Sequence, residues 1–176
     1  GIVRRMLDGG DRIVGYKLGL TSRPMQEMLG ISSPDLAPVL ASHVHNDAFA
    51  IDTSKFIAPR MEGEIAFILK RDLSGPGVTN ADVIRATECV MPCFEIVDSR
   101  IADWKIRIED TVADNASSGL FVIGAARARP RGFDFYSCGM VVEKNGQIIS
   151  TGAGAAALGD GEFSPDARSP SPAPRS

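Results

Sequence analysis

Apolar positions recur at two spacings along this chain, and the alternation between them lays out its elements. Ile2, Val3, Met6 and Leu7 fall at helical spacing, with Gly9-Gly10 as a C-terminal stop. Ile13 to Leu20 is a short apolar, strand-like run interrupted by one cation, Lys17. Thr21 and Ser22 offer N-cap oxygens, Pro24 suits a first helical turn, and Gly30 closes a short helix through Met25, Met28 and Leu29. Ser33-Pro34-Asp35 has the chemistry of a loop, and residues 40–58 read as irregular strands and turns. Met61 to Leu69 is a strand, followed by the turn Gly75-Pro76-Gly77. Thr79 with Asp82 has the pattern of a capping box, opening a helix through Val83, Ile84 and Val90 that Pro92 ends. Cys93 to Val97 and Gly119 to Ile123 are further short strands. Met140 to Glu143 and Gln147 to Ile149 flank Lys144-Asn145-Gly146, a strong hairpin signal, and Gly152 to Gly159 is a small-residue loop. No repeat of fixed period is present. The pattern predicts an irregular α+β, mostly β domain with few helices.

Composition narrows the function classes. The 176 residues are 44% hydrophobic and 23% charged, as in an ordinary water-soluble domain. A net charge of −3 and 6% aromatics supply neither the basic footprint nor the stacking surface of a nucleic-acid binder. They give no polybasic membrane signal either, and no apolar run reaches transmembrane length. Cys89, Cys93 and Cys138 do not match a zinc-knuckle spacing; Cys89 and Cys93 sit four apart around an expected helix end. Buried free thiols in a reducing cytoplasm are the expectation. The chain opens at Gly1 inside a helical pattern and closes on a Ser/Pro-rich stretch, residues 161–176. That stretch reads as a disordered tail outside the original reading frame, following a partial domain over residues 1–160. A chain abbreviated at both ends is expected to be poorly stable and weakly active.

The chemistry concentrates in carboxylates. Side chains on a strand alternate faces, so Glu62 and Glu64 project to one side, about 7 Å apart, while Gly63, Ile65, Phe67 and Leu69 face the other. Two carboxylates so placed repel unless a cation lies between them, and an oxygen-rich site favours Mg²⁺ or Mn²⁺ over zinc. Glu95 stands in a second apolar strand, where an unpaired carboxylate is costly. Spacing alone leaves two readings open: a shared divalent ion, or a solvated strand face with Glu95 paired to an arginine. Asp98 and Arg100 fall on the face opposite Glu95 and read as a structural ion pair.

Five blocks carry a resemblance. They are Gly15-Tyr16-Lys17-Leu18-Gly19-Leu20-Thr21-Ser22 with Pro34-Asp35; Arg60-Met61-Glu62-Gly63-Glu64-Ile65-Ala66-Phe67; Glu95-Ile96-Val97-Asp98-Ser99-Arg100-Ile101; Asp110 to Ser118; and Thr151-Gly152-Ala153-Gly154. Together, over about residues 3 to 160, they resemble the 2-hydroxypenta-2,4-dienoate (2-oxopent-4-enoate) hydratases of the fumarylacetoacetate hydrolase-like superfamily. The resemblance implies a mixed β-roll or barrel core and a metal-dependent hydro-lyase of aromatic meta-cleavage catabolism. It places Mg²⁺ or Mn²⁺ on Glu62, Glu64 and Glu95, and catalytic roles on Lys17, Asp35 and Ser117. Lys17 would bind the substrate carboxylate or relay a proton, Asp35 would act as acid and base, and Ser117 would orient water. From the residues alone, Lys17 also reads as snorkelling from an edge strand, Asp35 as an Asx turn, and Ser117 as a turn cap. Members of the family usually carry an aromatic and then Gly after Pro-Asp, where this chain has Leu36-Ala37-Pro38. The partners implied are a small 2-oxo or 2-hydroxy dienoic acid, further copies of the chain, and 4-oxalocrotonate decarboxylase. That decarboxylase is also the nearest alternative activity, and a catalytically silent subunit of the hydratase–decarboxylase complex is the third reading.

Overall fold

The computed structural model describes residues 1–31 and 34–157. The expected tail at 161–176 and the loop position Ser33 lie outside the described residues. Among the described residues no helix is long and apolar enough to cross a membrane.

Strands dominate. Helix α1 (Ile2–Asp8) ends at Gly9, whose amide closes on Arg5. It leads into β1 (Ile13–Gly19) and then α2 (Arg23–Leu29), which has Pro near its first turn and stops at Gly30 in the left-handed region. Strand β2 (Asp35–Leu40) pairs antiparallel with β1, matching Gly19 with Asp35 and Lys17 with Ala37. The expected loop at Pro34-Asp35 is therefore a strand start, because pairing with β1 satisfies the backbone from Asp35 onward.

The central sheet has four strands in the order β3–β6–β5–β4. It comprises β3 (Val44–Asn46), β4 (Arg60–Leu69), β5 (Thr87–Val97) and β6 (Ser118–Ile123). The helix before β5, α3 (Asn80–Ala86), has the expected capping box between Thr79 and Asp82. It does not run on through Val90 to Pro92. The Thr87 hydroxyl donates to the Val83 carbonyl, and from Thr87 the chain pairs with β4 in a ladder that starts at Leu69 and ends at Arg60. The long-range ladder outweighs the local helical periodicity. Cys89 and Cys93 thus lie on one strand, both buried, and not around a helix end.

Pro92 is tolerated mid-strand for a geometric reason. In an antiparallel strand the N and C=O of one residue face the same neighbour. The Pro92 carbonyl accepts from Gly124, just past the end of β6, so its missing N–H removes nothing from the β4 ladder. A Cβ at Gly124 would stand 2.9 Å from the Pro92 ring, so glycine makes the close approach possible.

Helix α4 (Ile108–Ala113) is followed by three consecutive non-glycine residues in the left-handed region: Asn115, Ala116 and Ser117, with φ of 53°, 52° and 52°. Each such residue costs about 1–2 kcal/mol, and runs of them are unusual. The hairpin of β7 (Gly139–Lys144) and β8 (Gln147–Ala153) turns on Asn145 and Gly146, both at positive φ, as expected; β8 takes up the start of the supposed loop at Gly152. Met140 and Val142 of this hairpin lie over Gly63, and Phe135 stacks on Phe67, covering one face of the central sheet. Buried Val90, Cys93, Ile96, Val97, Leu120 and Phe121 form the core between the two faces. The strands make three separate sheets, and no closed barrel is present among the described residues.

Candidate metal centre

The β4–β5 register sets the site. Glu62 lies directly opposite Glu95, and Glu64 opposite Cys93. With alternation along each strand, all four side chains share one face of the sheet. Ligand oxygens of Glu62, Glu64 and Glu95 come within 4.8 Å of one another, with Glu95 buried and the other two open to solvent. The strand that carries Glu95 is buried on both faces, which fixes that carboxylate most firmly.

Crowding of like charge is visible in the acidities. Partial desolvation, then the Glu95 and Glu62 carboxylates, push Glu64 up to about 7, against a smaller opposing pull from Lys17. Burial pushes Glu95 up as well, and the Lys17 ammonium pulls it back. Cys93, unremarked in sequence as a site neighbour, is pushed up to about 12 by burial and by Glu64 and Glu95, so its thiol stays protonated. The same period-two spacing that groups Glu62 with Glu64 groups Cys93 with Glu95.

Lys17 reaches this face from the β1–β2 sheet. Its ammonium donates to Glu95 Oε1 at 2.5 Å and to the Ala116 carbonyl at 3.1 Å. The side chains of Lys17 and Glu95 are 8% and 4% exposed, so Lys17 is a buried counter-charge and does not snorkel. The partner of Glu95 is this lysine and not an arginine. Asp35 lies close enough to Glu95 to help raise its pKa, and the Asp35 Oδ1 is buried with no hydrogen-bond partner among the described residues. Gly19, across the β1–β2 ladder, gives that carboxylate its room, since any Cβ there would collide with Asp35 Oδ1.

Ser117 is buried in the left-handed turn, and its hydroxyl donates to Asp114 at 3.3 Å. The structure thus gathers Lys17, Asp35 and the three glutamates, and joins Ser117 to them through the turn, whose Ala116 carbonyl holds Lys17. The expected Asp98–Arg100 pair does not form. Asp98 accepts from the amides of Ile57 and Ala58, whereas Arg100 forms an ion pair with Asp114 at 3.2 Å and donates to the Ser118 carbonyl. Sequence reading missed this cluster because the two partners lie on different segments.

The donor set fits a hard divalent cation. Three carboxylates converge, one lysine neutralises only one of them, and an orphaned carboxylate oxygen stands nearby where a polar ligand would satisfy it.

No family model matches the chain. Over 159 residues it is 61% identical to the 2-hydroxypent-2,4-dienoate hydratase of Pseudomonas putida, a match covering 90% of this chain and 72% of that protein. It is 52% identical over 152 residues to the 2-hydroxyhexa-2,4-dienoate hydratase of Comamonas testosteroni, covering 85% of this chain and 58% of the relative. Among solved structures it is similar to the 4-oxalocrotonate decarboxylase from Pseudomonas putida G7 complexed with magnesium and adipate. That match has a TM-score of 0.84 at 39% identity, over 92% of this chain and 62% of the other. The same decarboxylase complexed with calcium and acetate gives 0.82 at 38% identity. The chain spans between 58% and 72% of the length of these relatives.

Proposed function

The chain belongs to the 2-hydroxypenta-2,4-dienoate hydratase family, and from that footing we propose that it hydrates 2-hydroxypenta-2,4-dienoate to 4-hydroxy-2-oxopentanoate in aromatic meta-cleavage catabolism. The observation that carries this reading is the convergence of Glu62, Glu64 and Glu95 within 4.8 Å, beside the unpartnered Asp35 oxygen.

Glu62, Glu64 and Glu95 would hold Mg²⁺ or Mn²⁺, the class of ion that the decarboxylase relative carries as magnesium. When bound, the ion supplies Lewis acidity that stabilises negative charge on the substrate carboxylate and 2-oxygen. The rest falls to side chains. The dienol loses its 2-hydroxyl proton and gains one at C5, giving a conjugated enone; water then adds, with its oxygen at C4 and a proton at C3. Asp35, whose Oδ1 is buried with no hydrogen-bond partner among the described residues, is suited to take and return these protons. Two of the three Lys17 donors are engaged by Glu95 and Ala116, which leaves one for the substrate carboxylate. The Ser117 hydroxyl donates to Asp114, so its oxygen is left to accept from the attacking water. Residues 1–160 form the catalytic part in this reading.

The exposed side of the β1–β2 sheet, with Tyr16, Leu18 and Leu36 at 64%, 53% and 65% exposure, suits contact with a further copy of the chain or with 4-oxalocrotonate decarboxylase. Light scattering after size exclusion, alone and with the decarboxylase, tests both contacts.

Mn²⁺-dependent loss of dienoate ultraviolet absorbance is the expected result. Release of CO₂ from 4-oxalocrotonate without hydration would move the assignment to the decarboxylase. Absence of both activities together with absence of Mn²⁺ binding would leave the silent subunit.

A further inference from the structure

The left-handed run at Asn115, Ala116 and Ser117 has no glycine to ease it, so other contacts must hold it. Many of them converge on Arg100. Its backbone amide donates to Asp114 Oδ2, and its guanidinium donates to Asp114 Oδ1, to the Asp114 carbonyl and to the Ser118 carbonyl, at 2.9 to 3.2 Å. Asp114 immediately precedes the run and Ser118 immediately follows it. One planar side chain therefore grips the segment at both ends, a use of the fixed guanidinium fork that a lysine cannot reproduce. Asp114 in turn receives the Ser117 hydroxyl, and Asp114, Ser117 and Ser118 are 6%, 5% and 1% exposed.

What the gripped turn presents is specific. Its middle carbonyl, Ala116, accepts from Lys17, and the Asn115 amide side chain donates to the Pro38 carbonyl on β2 at 3.1 Å. Both contacts tie the β1–β2 sheet, with Lys17 and Asp35, against the sheet that carries Glu95. We infer that Arg100 and Asp114 are positioning residues: they hold residues 115–117 left-handed so that the Ala116 carbonyl fixes the Lys17 ammonium and Ser117 keeps its orientation. The kinetic part of this inference rests on the proposed hydratase reading; the geometric part does not.

The test uses Arg100→Gln, Arg100→Lys and the double variant Arg100→Gln/Ala116→Gly in the full chain. Glycine keeps the carbonyl and adopts positive φ without strain, so it substitutes for the grip. Reductive methylation followed by peptide mass spectrometry reports how well Lys17 is held, whatever the chain catalyses. Lys17 should be modified several-fold faster in Arg100→Gln and in Arg100→Lys, and the double variant should return toward the parental rate. In parallel, kcat for dienoate hydration should fall at least tenfold in Arg100→Gln with KM changed less than threefold, and partly recover in the double variant. Unchanged Lys17 labelling in Arg100→Gln overturns the inference. So does faster labelling of all lysines alike with no recovery by Ala116→Gly, which marks a general loosening of the fold. If the parent chain hydrates nothing, the hydratase reading fails while the labelling still decides the positioning role.

Discussion

Lys17 and Glu95, 78 residues apart in sequence, meet in a 2.5 Å charge-assisted hydrogen bond with both side chains buried. The pair joins the β1–β2 sheet to the central sheet at the point where the candidate ligands converge. Its energetic importance lies in what happens when one member is lost, since a buried charge left alone is costly.

Lys17→Met keeps the length of the side chain and removes its charge. The metal-free protein should lose about 3 kcal/mol, a fall of roughly 6–12 °C in Tm. Added Mn²⁺ should recover more of that Tm in the variant than it adds to the parent, because the ion then neutralises Glu95. Differential scanning calorimetry with and without Mn²⁺ checks both statements.

Glu62→Gln and Glu64→Gln separate ligation from folding. Each should weaken Mn²⁺ binding at least about tenfold by titration calorimetry, the lower bound expected even for an outer partner of a metal site. Neither should lower the Tm of the metal-free protein, because Glu62 faces Glu95 across the ladder and like charges in that position repel. A variant that binds Mn²⁺ as the parent does would remove its glutamate from the ligand set.

The raised pKa of Glu64 gives the metal-free protein a pH dependence of definite sign. Between the ordinary carboxyl value of 4.5 and about 7, the folded state holds a proton that the unfolded chain has released. Stability therefore falls as pH rises through that window and levels off above it. Glu95, shifted in the same direction, adds to the slope. Solvent contact at Glu64 keeps the effect below the full linkage value. Urea midpoints across this range should decline for the parent and flatten in Glu64→Gln. Mn²⁺ affinity should rise over the same window, since binding displaces the proton.

Gly19→Ala tests the seat of Asp35. The added methyl collides with Asp35 Oδ1, and the carboxylate must turn away. Hydration should fall at least tenfold in kcat, approaching the loss in Asp35→Asn, while Mn²⁺ binding stays within threefold of the parent. Unaltered kcat in Gly19→Ala would show that the position of Asp35 does not matter.

Much of the local layout was legible in sequence because it is set by local chemistry. Pro24 and Gly30 bracket α2, Thr79 and Asp82 cap α3, and Asn145-Gly146 turns the last hairpin. The pairing of Glu62 with Glu64 followed from strand alternation alone. Other features depend on neighbours far along the chain. Pro92 looked like a helix stop, yet it sits within β5 because its nitrogen faces the side where β6 has ended. Asp98 and Arg100 looked like partners, but two amides and Asp114 claim them instead. The lysine against Glu95 and the run at positive φ were equally out of reach, since neither a cross-sheet contact nor a left-handed turn without glycine has a local signature.

Strand β4 has one further consequence. It is ten residues long and stands at the end of the four-stranded order, hydrogen-bonded on one side among the described residues. A long edge of this kind invites pairing with a foreign strand, and charges along it are the usual deterrent. Arg60, Glu62 and Glu64 are the charges it carries. Of the residues proposed to bind the ion, Glu62 and Glu64 thus also deter strand pairing along the β4 edge. Drift at these two positions is constrained twice: a neutral replacement gives up an edge charge as well as a candidate ligand.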